Sequence, residues 1–170
     1  MDSNLSLSIG FKGQVKPNCQ AVPLQEGYLK LGGIVDENAT GGLAFGVVVS
    51  ASADNPSVVS AGQAEGNIVR GVCVFDDAIA QNAPAHPDKY LAGLQCAFIA
   101  KGLCRFDKWT KSTGGHSIDP VVGAKVQFNT TTGAVEFLAA SAAAADTGFA
   151  LLANASVVEV SDTGAFVWLS

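Results

Sequence analysis

The chain has little charge. Of its 170 residues only 15% are Asp, Glu, Lys or Arg, against roughly 25% in an average soluble domain. Hydrophobic residues make up 48%. A lone monomer of this composition would present a neutral, adhesive surface, so we expect much of that surface to be covered by other chains. The charge that exists is acidic, −5 net. That argues against the basic face of a nucleic-acid-binding module and against attraction to an anionic membrane surface. Long hydrophobic runs are also missing. No stretch approaches the ~18–20 apolar residues needed to span a bilayer, and Ala139–Ala145 is both short and small-chained.

Residues that carry chemistry are equally scarce. There are two histidines, His86 in Pro84-Ala85-His86-Pro87 and His116 in Gly114-Gly115-His116-Ser117. Both read as loop residues, and neither neighbours a G-x-S-x-G nucleophile elbow. The adjacent carboxylate pairs, Asp36-Glu37 and Asp76-Asp77, lie in turn-like text, where Asp commonly bonds its own backbone. No D-x-[DN]-x-[DN]-G run is present to hold Ca²⁺. Gly32-Gly33 and Gly41-Gly42 precede no helix with a Lys-Ser/Thr, so they are not phosphate loops. The four cysteines, Cys19, Cys73, Cys96 and Cys104, show no C-x-x-C and no histidine at ligand spacing. Met1-Asp2-Ser3-Asn4 is acidic and polar where a secretion signal would be basic and then apolar. We therefore expect small buried thiols in a protein made in a reducing cytoplasm. No enzyme, metal site or cofactor is expected.

What is abundant is β-strand text. Val126-Gln127-Phe128 runs through Asn129–Ala134 into Val135-Glu136-Phe137-Leu138. Val157-Val158-Glu159-Val160 runs through Ser161–Ala165 into Phe166-Val167-Trp168-Leu169. Both turns close on Thr-Gly-Ala, and Gly supplies the positive φ that short hairpins often need. Alternation puts Phe166 and Trp168 on one face, expected to be core.

Further strands are read at Leu43–Val49, Val58-Val59, Ile68–Phe75 (interrupted at Gly71), Leu91–Ala100, Gly102–Phe106 and Phe149–Ala153. Gly32-Gly33 reads as a turn or bulge. Asp76–Asn82 reads as one short helix, capped by Asp76 or Asp77 and stopped by Pro84 and Pro87. Ala139–Thr147 is an alanine-rich crossover with room for one or two helical turns.

The expected fold is thus all-β: a β-sandwich, jelly roll or barrel with at most one short helix. Residues 1–23 form an extended N-terminal arm, alternating at Leu5-Ser6-Leu7-Ser8-Ile9 and punctuated by Gly10, Gly13, Pro17 and Pro23. Residues 24–170 form one β-rich domain.

One charged cluster stands out. Lys101, Arg105, Lys108 and Lys111 fall within eleven residues, with Phe106 and Trp109 between them. Two readings stay open. Arg105, Lys108, Trp109 and Lys111 form a contact patch for an acidic partner surface, or Trp109 packs in the core and the lysines are a solvated loop edge.

Several short motifs then fall into a familiar order: Phe11-Lys12-Gly13-Gln14 in the arm, Arg70-Gly71-Val72, Ile99-Ala100-Lys101-Gly102, and Val122-Gly123-Ala124-Lys125-Val126 leading to Thr132-Gly133-Ala134. The last is Thr163-Gly164-Ala165. Over most of its length the chain resembles the structural cement, or head decoration, proteins of tailed bacteriophages. The resemblance implies a small β protein on the outside of the virion capsid, commonly a homotrimer, that clamps neighbouring subunits of the major capsid protein and has no catalytic residues. On this reading we expect the capsid or protomer interface to lie in the arm (Phe11, Lys12, Gln14 and Val15) and the Lys101–Lys111 stretch. The alternative is a carbohydrate- or receptor-binding β module of a phage particle.

Overall fold

The computed structural model describes residues 29–76, 88–112, 115–162 and 164–170, and the backbone of 19–21. The described residues contain thirteen strands and no helix.

Five strands close into a barrel: β2 (Leu29–Val35), β4 (Val48–Ala51), β5 (Val58–Ala61), β6 (Ile68–Cys73) and the first half of β8 (Gln95–Phe106). The ring runs β2-β5-β4-β6-β8 and returns to β2. Only the β2–β5 pair is parallel, with Ile34 opposite Val58. Closure removes the sheet edges and lets the valines fill the interior: Val35, Val48, Val49, Val59 and Val72 are fully buried. Of the expected alternatives, the barrel-like one forms.

β8 then leaves the barrel. Its second half joins an open sheet ordered β1-β8-β13-β12-β10-β11-β9. The new strands are β1 (Cys19–Ala21), β9 (Ser117–Ile118), β10 (Lys125–Asn129), β11 (Val135–Leu138), β12 (Phe149–Ser161) and β13 (Gly164–Leu169). A separate pair joins β3 (Leu43–Ala44) to β7 (Lys89–Tyr90). The transfer depends on close approach at Gly71, whose φ is 148°. A Cβ there would lie 2.1 Å from the Ile99 carbonyl oxygen, so only glycine lets β6 run this close to β8.

The β10–β11 hairpin locks the two parts together. Its tip lies on the barrel: Val48 N–H donates to the Gly133 carbonyl at 2.9 Å, and Gln63 N–H to the Thr130 carbonyl at 2.7 Å. Gly133 has φ 72° there, as the hairpin reading requires. Asn129 Oδ1 accepts from Thr131 and Thr132 N–H, holding the turn.

Several expectations need correction. Gly32-Gly33 is neither turn nor bulge; both residues stand in β2 and pair in regular register with Ala97 and Cys96 of β8. A Cβ on Gly33 would press Ser57 O and Phe98 at 3.2–3.3 Å, so glycine here serves close packing. Leu43–Val49 is two short strands split by a turn at Phe45-Gly46. Leu91–Leu94 is turn text, and β8 runs unbroken from Gln95 through Gly102. Phe149–Ala153 and Val157–Ser161 are one long strand, β12, with Asn154 at φ 63° in its bulged middle. Ala139–Thr147 forms turns rather than helix, because side-chain tethers hold it flat on the sheet, as described below. Of the expected short helix, Asp76 stands in no regular element and is bonded to Lys30, while 77–82 lie outside the described residues.

Candidate functional site

Two faces of the open sheet differ in kind. On the inner face, Cys104 and Phe106 of β8 and Ala165, Val167 and Leu169 of β13 are buried. On the outer face, alternation presents Lys101, Leu103 and Arg105 from β8. Opposite them on β13 stand Trp168, paired with Leu103, and Phe166, paired with Arg105. On the far side of β13, Trp168 faces Ser156 and Phe166 faces Glu159 of β12.

The expectation that Phe166 and Trp168 face the core is therefore overturned. They do share a face, but it is the outer one, and both are half-buried. The cause is register. β13 lies between β8 and β12 in a register that sets Ala165 opposite the buried Phe106 and Val167 opposite the buried Cys104, which leaves Phe166 and Trp168 on the other face.

The linear basic cluster separates in space. Arg105 sits in the ladder, half-buried, with Nε 2.9 Å from Asp107 Oδ1 and Nη2 3.2 Å from Asp107 Oδ2. Trp109 turns inward and packs edge-on against Phe137 at 5.9 Å. Lys108 is exposed, and Lys111 reaches Asp119 at 3.1 Å on the surface. Lys101 is exposed at the barrel end of the ladder, paired with Leu29, which is 46% exposed. Phe11, Lys12, Gln14 and Val15 lie outside the described residues. The structure thus brings together Lys101, Leu103, Arg105, Phe166 and Trp168. Leu103, Phe166 and Trp168 were missed because a single strand's alternation marks two faces without saying which is wet.

A second polar constellation covers the outer face of β10 and β11. Gln127 is fully buried and Glu136 nearly so, paired across the hairpin. Gln127 Nε2 donates to Asp146 Oδ2 at 2.9 Å and to Glu136 Oε2 at 3.3 Å, and its Oε1 accepts from Asp146 N–H at 2.9 Å. Ser112 Oγ donates to Glu136 at 2.6 Å. His116 N–H donates to Asp146 Oδ2 at 2.9 Å, and its Nδ1 lies 2.6 Å from Asp146 Oδ1. Lys125 Nζ donates to the Ala142 carbonyl at 2.6 Å. These bonds pin the alanine-rich strap onto the sheet. The Gln127 amide, and then His116, hold the Asp146 carboxyl below the usual aspartate range.

This arrangement is a tether, not a catalytic set. Ser112 bonds Glu136 rather than His116, so these residues form no Ser-His pair of the kind that nucleophilic catalysis uses. His116 is a loop residue with an 89% exposed side chain, as read from the sequence. Among the described residues no group of three or more His, Cys, Asp or Glu could hold a metal ion. No helix among them is long and apolar enough to cross a membrane. Asp36 bonds Asn38 N–H at 2.9 Å, the local turn chemistry expected of it. Cys73, Cys96 and Cys104 are free and buried. Burial, then the neighbouring Cys96, pushes the Cys73 thiol up, and burial pushes Cys96 to about 11.

The fold defines a class: an all-β protein built from a closed barrel and an open sheet. The family comparison adds its role. Residues 2–170 match the model of the structural cement protein family (E217 gp24/Pam3 gp6), so the chain belongs to the phage structural cement proteins. It is a capsid-stabilising component of the virion exterior and not an enzyme. A comparison with curated proteins returns no match.

Proposed function

We propose that the protein binds the outside of a phage capsid through the outer face of β8 and β13, and there clamps neighbouring subunits of the major capsid protein. The observation that carries this reading is the half-buried pair Phe166 and Trp168 beside Arg105 and Leu103 on an open sheet face. Trp and Arg dominate binding hot spots, and half-buried aromatics give large contact area for little ordering cost. Arg105 is already paired with Asp107, so recognition rests on apolar contact more than on net positive charge. Lys101 and Lys108 supply the remaining charge, and Phe11, Lys12, Gln14 and Val15 of the arm extend the contact.

The protein acts as a homotrimer, so that several modest contacts on a symmetric shell reinforce one another. Neither nucleic acid nor membrane is a partner, in keeping with the acidic balance. Three buried free thiols fit synthesis in the host cytoplasm.

The test is co-sedimentation of purified protein with expanded capsids that lack it. Saturable binding at a fixed ratio to the major capsid protein, with better survival of heat, supports the reading. Folded protein that fails to bind overturns it, and glycan binding in its place would favour a carbohydrate- or receptor-binding module.

A further inference from the structure

The outer face of the open sheet is bare at one end and covered at the other. Leu138, Lys125, Ser156 and Trp168 stand in one cross-strand row, from β11 through β10 and β12 to β13. Trp168 is half-buried, whereas Leu138 and its outer-face neighbours Gln127 and Glu136 are buried. The cover is the alanine-rich strap, residues 139–147, with Ser112 and His116 beside it. Packing is not what holds the strap. Ala140, Ser141, Ala143 and Ala144 are exposed, and a cavity of about 550 Å³ lies among the strap and His116. Methyl groups so placed bury little surface. Of the bonds that tie the strap to β10 and His116, Lys125 Nζ makes one, to the Ala142 carbonyl, and Asp146 makes the others. The Asp146 side chain is only 10% exposed. A Cβ on Gly115 would lie 2.7 Å from its Oδ2, so glycine lets the backbone close on the carboxylate.

We propose that residues 139–147 are an acid-released latch: protonation of Asp146 frees the strap from β10 and uncovers Gln127, Glu136 and Leu138, while the strands beneath stay paired. A carboxylate only accepts, which suits the donors around it: Gln127 Nε2 and His116 N–H on Oδ2, and His116 Nδ1 facing Oδ1. A protonated carboxyl must donate, and here it would meet those same N–H groups. In acid the exposed imidazole carries a proton on each nitrogen and has no lone pair to accept with. The other ionisable groups of the cluster do not replace the lost bonds. Glu136 of β11 is itself a carboxyl, sharing the Gln127 amide. Lys125 of β10 is bonded to Ala142, and Lys111 is paired with Asp119. The Gln127 amide, and then His116, hold the Asp146 carboxyl below the usual aspartate range. The latch is therefore shut at neutral pH and opens as pH falls through the folded-state value, below about pH 4. The strands persist because Val126, Phe128, Val135 and Phe137 are buried on the other face. Opening lengthens the outer face from Trp168 to Leu138.

The test follows amide hydrogen exchange of the full-length protein by NMR from pH 6 to pH 2.5, expressed as protection relative to the free-chain rate at each pH. The Asp146 and His116 amides should lose protection together, by at least about tenfold, while the β10 and β11 amides keep theirs. Asp146→Asn should show the open level already at pH 6 and respond little to acid. Glu136→Gln should respond as the natural protein does, which assigns the proton to Asp146. Protection of the Asp146 amide that is unchanged down to pH 2.5 overturns the proposal. So does protection lost only in step with β10 and β11, or an acid response that Glu136→Gln abolishes and Asp146→Asn keeps. The natural protein's own profile decides even where a variant fails to fold.

Discussion

Replacing Gly133 by alanine sets a methyl group where the hairpin tip meets the barrel. Two effects add. The backbone sits at φ 72°, which costs an alanine about 1 kcal/mol or more. The new Cβ would also stand 2.4 Å from the Val48 carbonyl oxygen and 2.8 Å from Gly62 N. That oxygen cannot retreat freely, because it accepts from Gly62 N–H at 2.9 Å. The hairpin tip must lift instead, weakening Val48 N–H to Gly133 O and Gln63 N–H to Thr130 O, each worth about 1 kcal/mol. The expected loss is about 3 kcal/mol, large against a total stability of roughly 5–15 kcal/mol. For a chain of this size that lowers Tm by about 6–12 °C. Gly123→Ala is the control: φ is 82°, but nothing lies within 4 Å of the added Cβ, so only the backbone cost of about 1 kcal/mol applies. Urea unfolding followed by circular dichroism measures both. Equal destabilisation of the two variants would refute the seating of the hairpin on the barrel.

Trp168→Ala should weaken capsid binding about thirtyfold or more, in the range of a hot-spot loss, while leaving the unfolding midpoint within a few degrees. A large fall in stability instead would return Trp168 to the core. Gln127→Leu removes the amide that joins Glu136 to Asp146 and should cost about 2 kcal/mol, read by urea unfolding, and speed hydrogen exchange at Asp146 N–H. The Asp146 carboxyl is held below its unfolded value, so its contribution is complete above about pH 4 and is lost as pH falls through the folded value. The stability gap between the natural protein and Asp146→Asn should therefore be widest at neutral pH and shrink toward pH 2; a constant gap would show that the charge is irrelevant. Cys73, Cys96 and Cys104 should resist a thiol reagent at pH 8 until denaturant is added, and rapid labelling of any of them in the native protein contradicts their burial.

Alternation, turn chemistry and composition are local properties, and they carried much of the architecture. The β10–β11 and β12–β13 hairpins stand where their Thr-Gly-Ala turns placed them, because a positive φ is a demand that glycine alone meets cheaply. That the chain is not an enzyme was equally legible in its two histidines and few charges, and its membership of the structural cement family bears that out. Ala139–Thr147 misled because alanine favours helix only when nothing competes, and here Gln127, Lys125 and His116 compete through tertiary bonds.

The sequence by itself determined that the chain would be β-rich and sparsely charged. It could not determine sides. Whether Phe166 and Trp168 face core or solvent depends on what lies across β13, and that is set by pairing with β8 and β12, whose partners are some sixty and ten residues away. Ring closure of the barrel and the transfer of β8 between sheets are likewise long-range. They exist only once distant strands have met, so only the tertiary structure decided them.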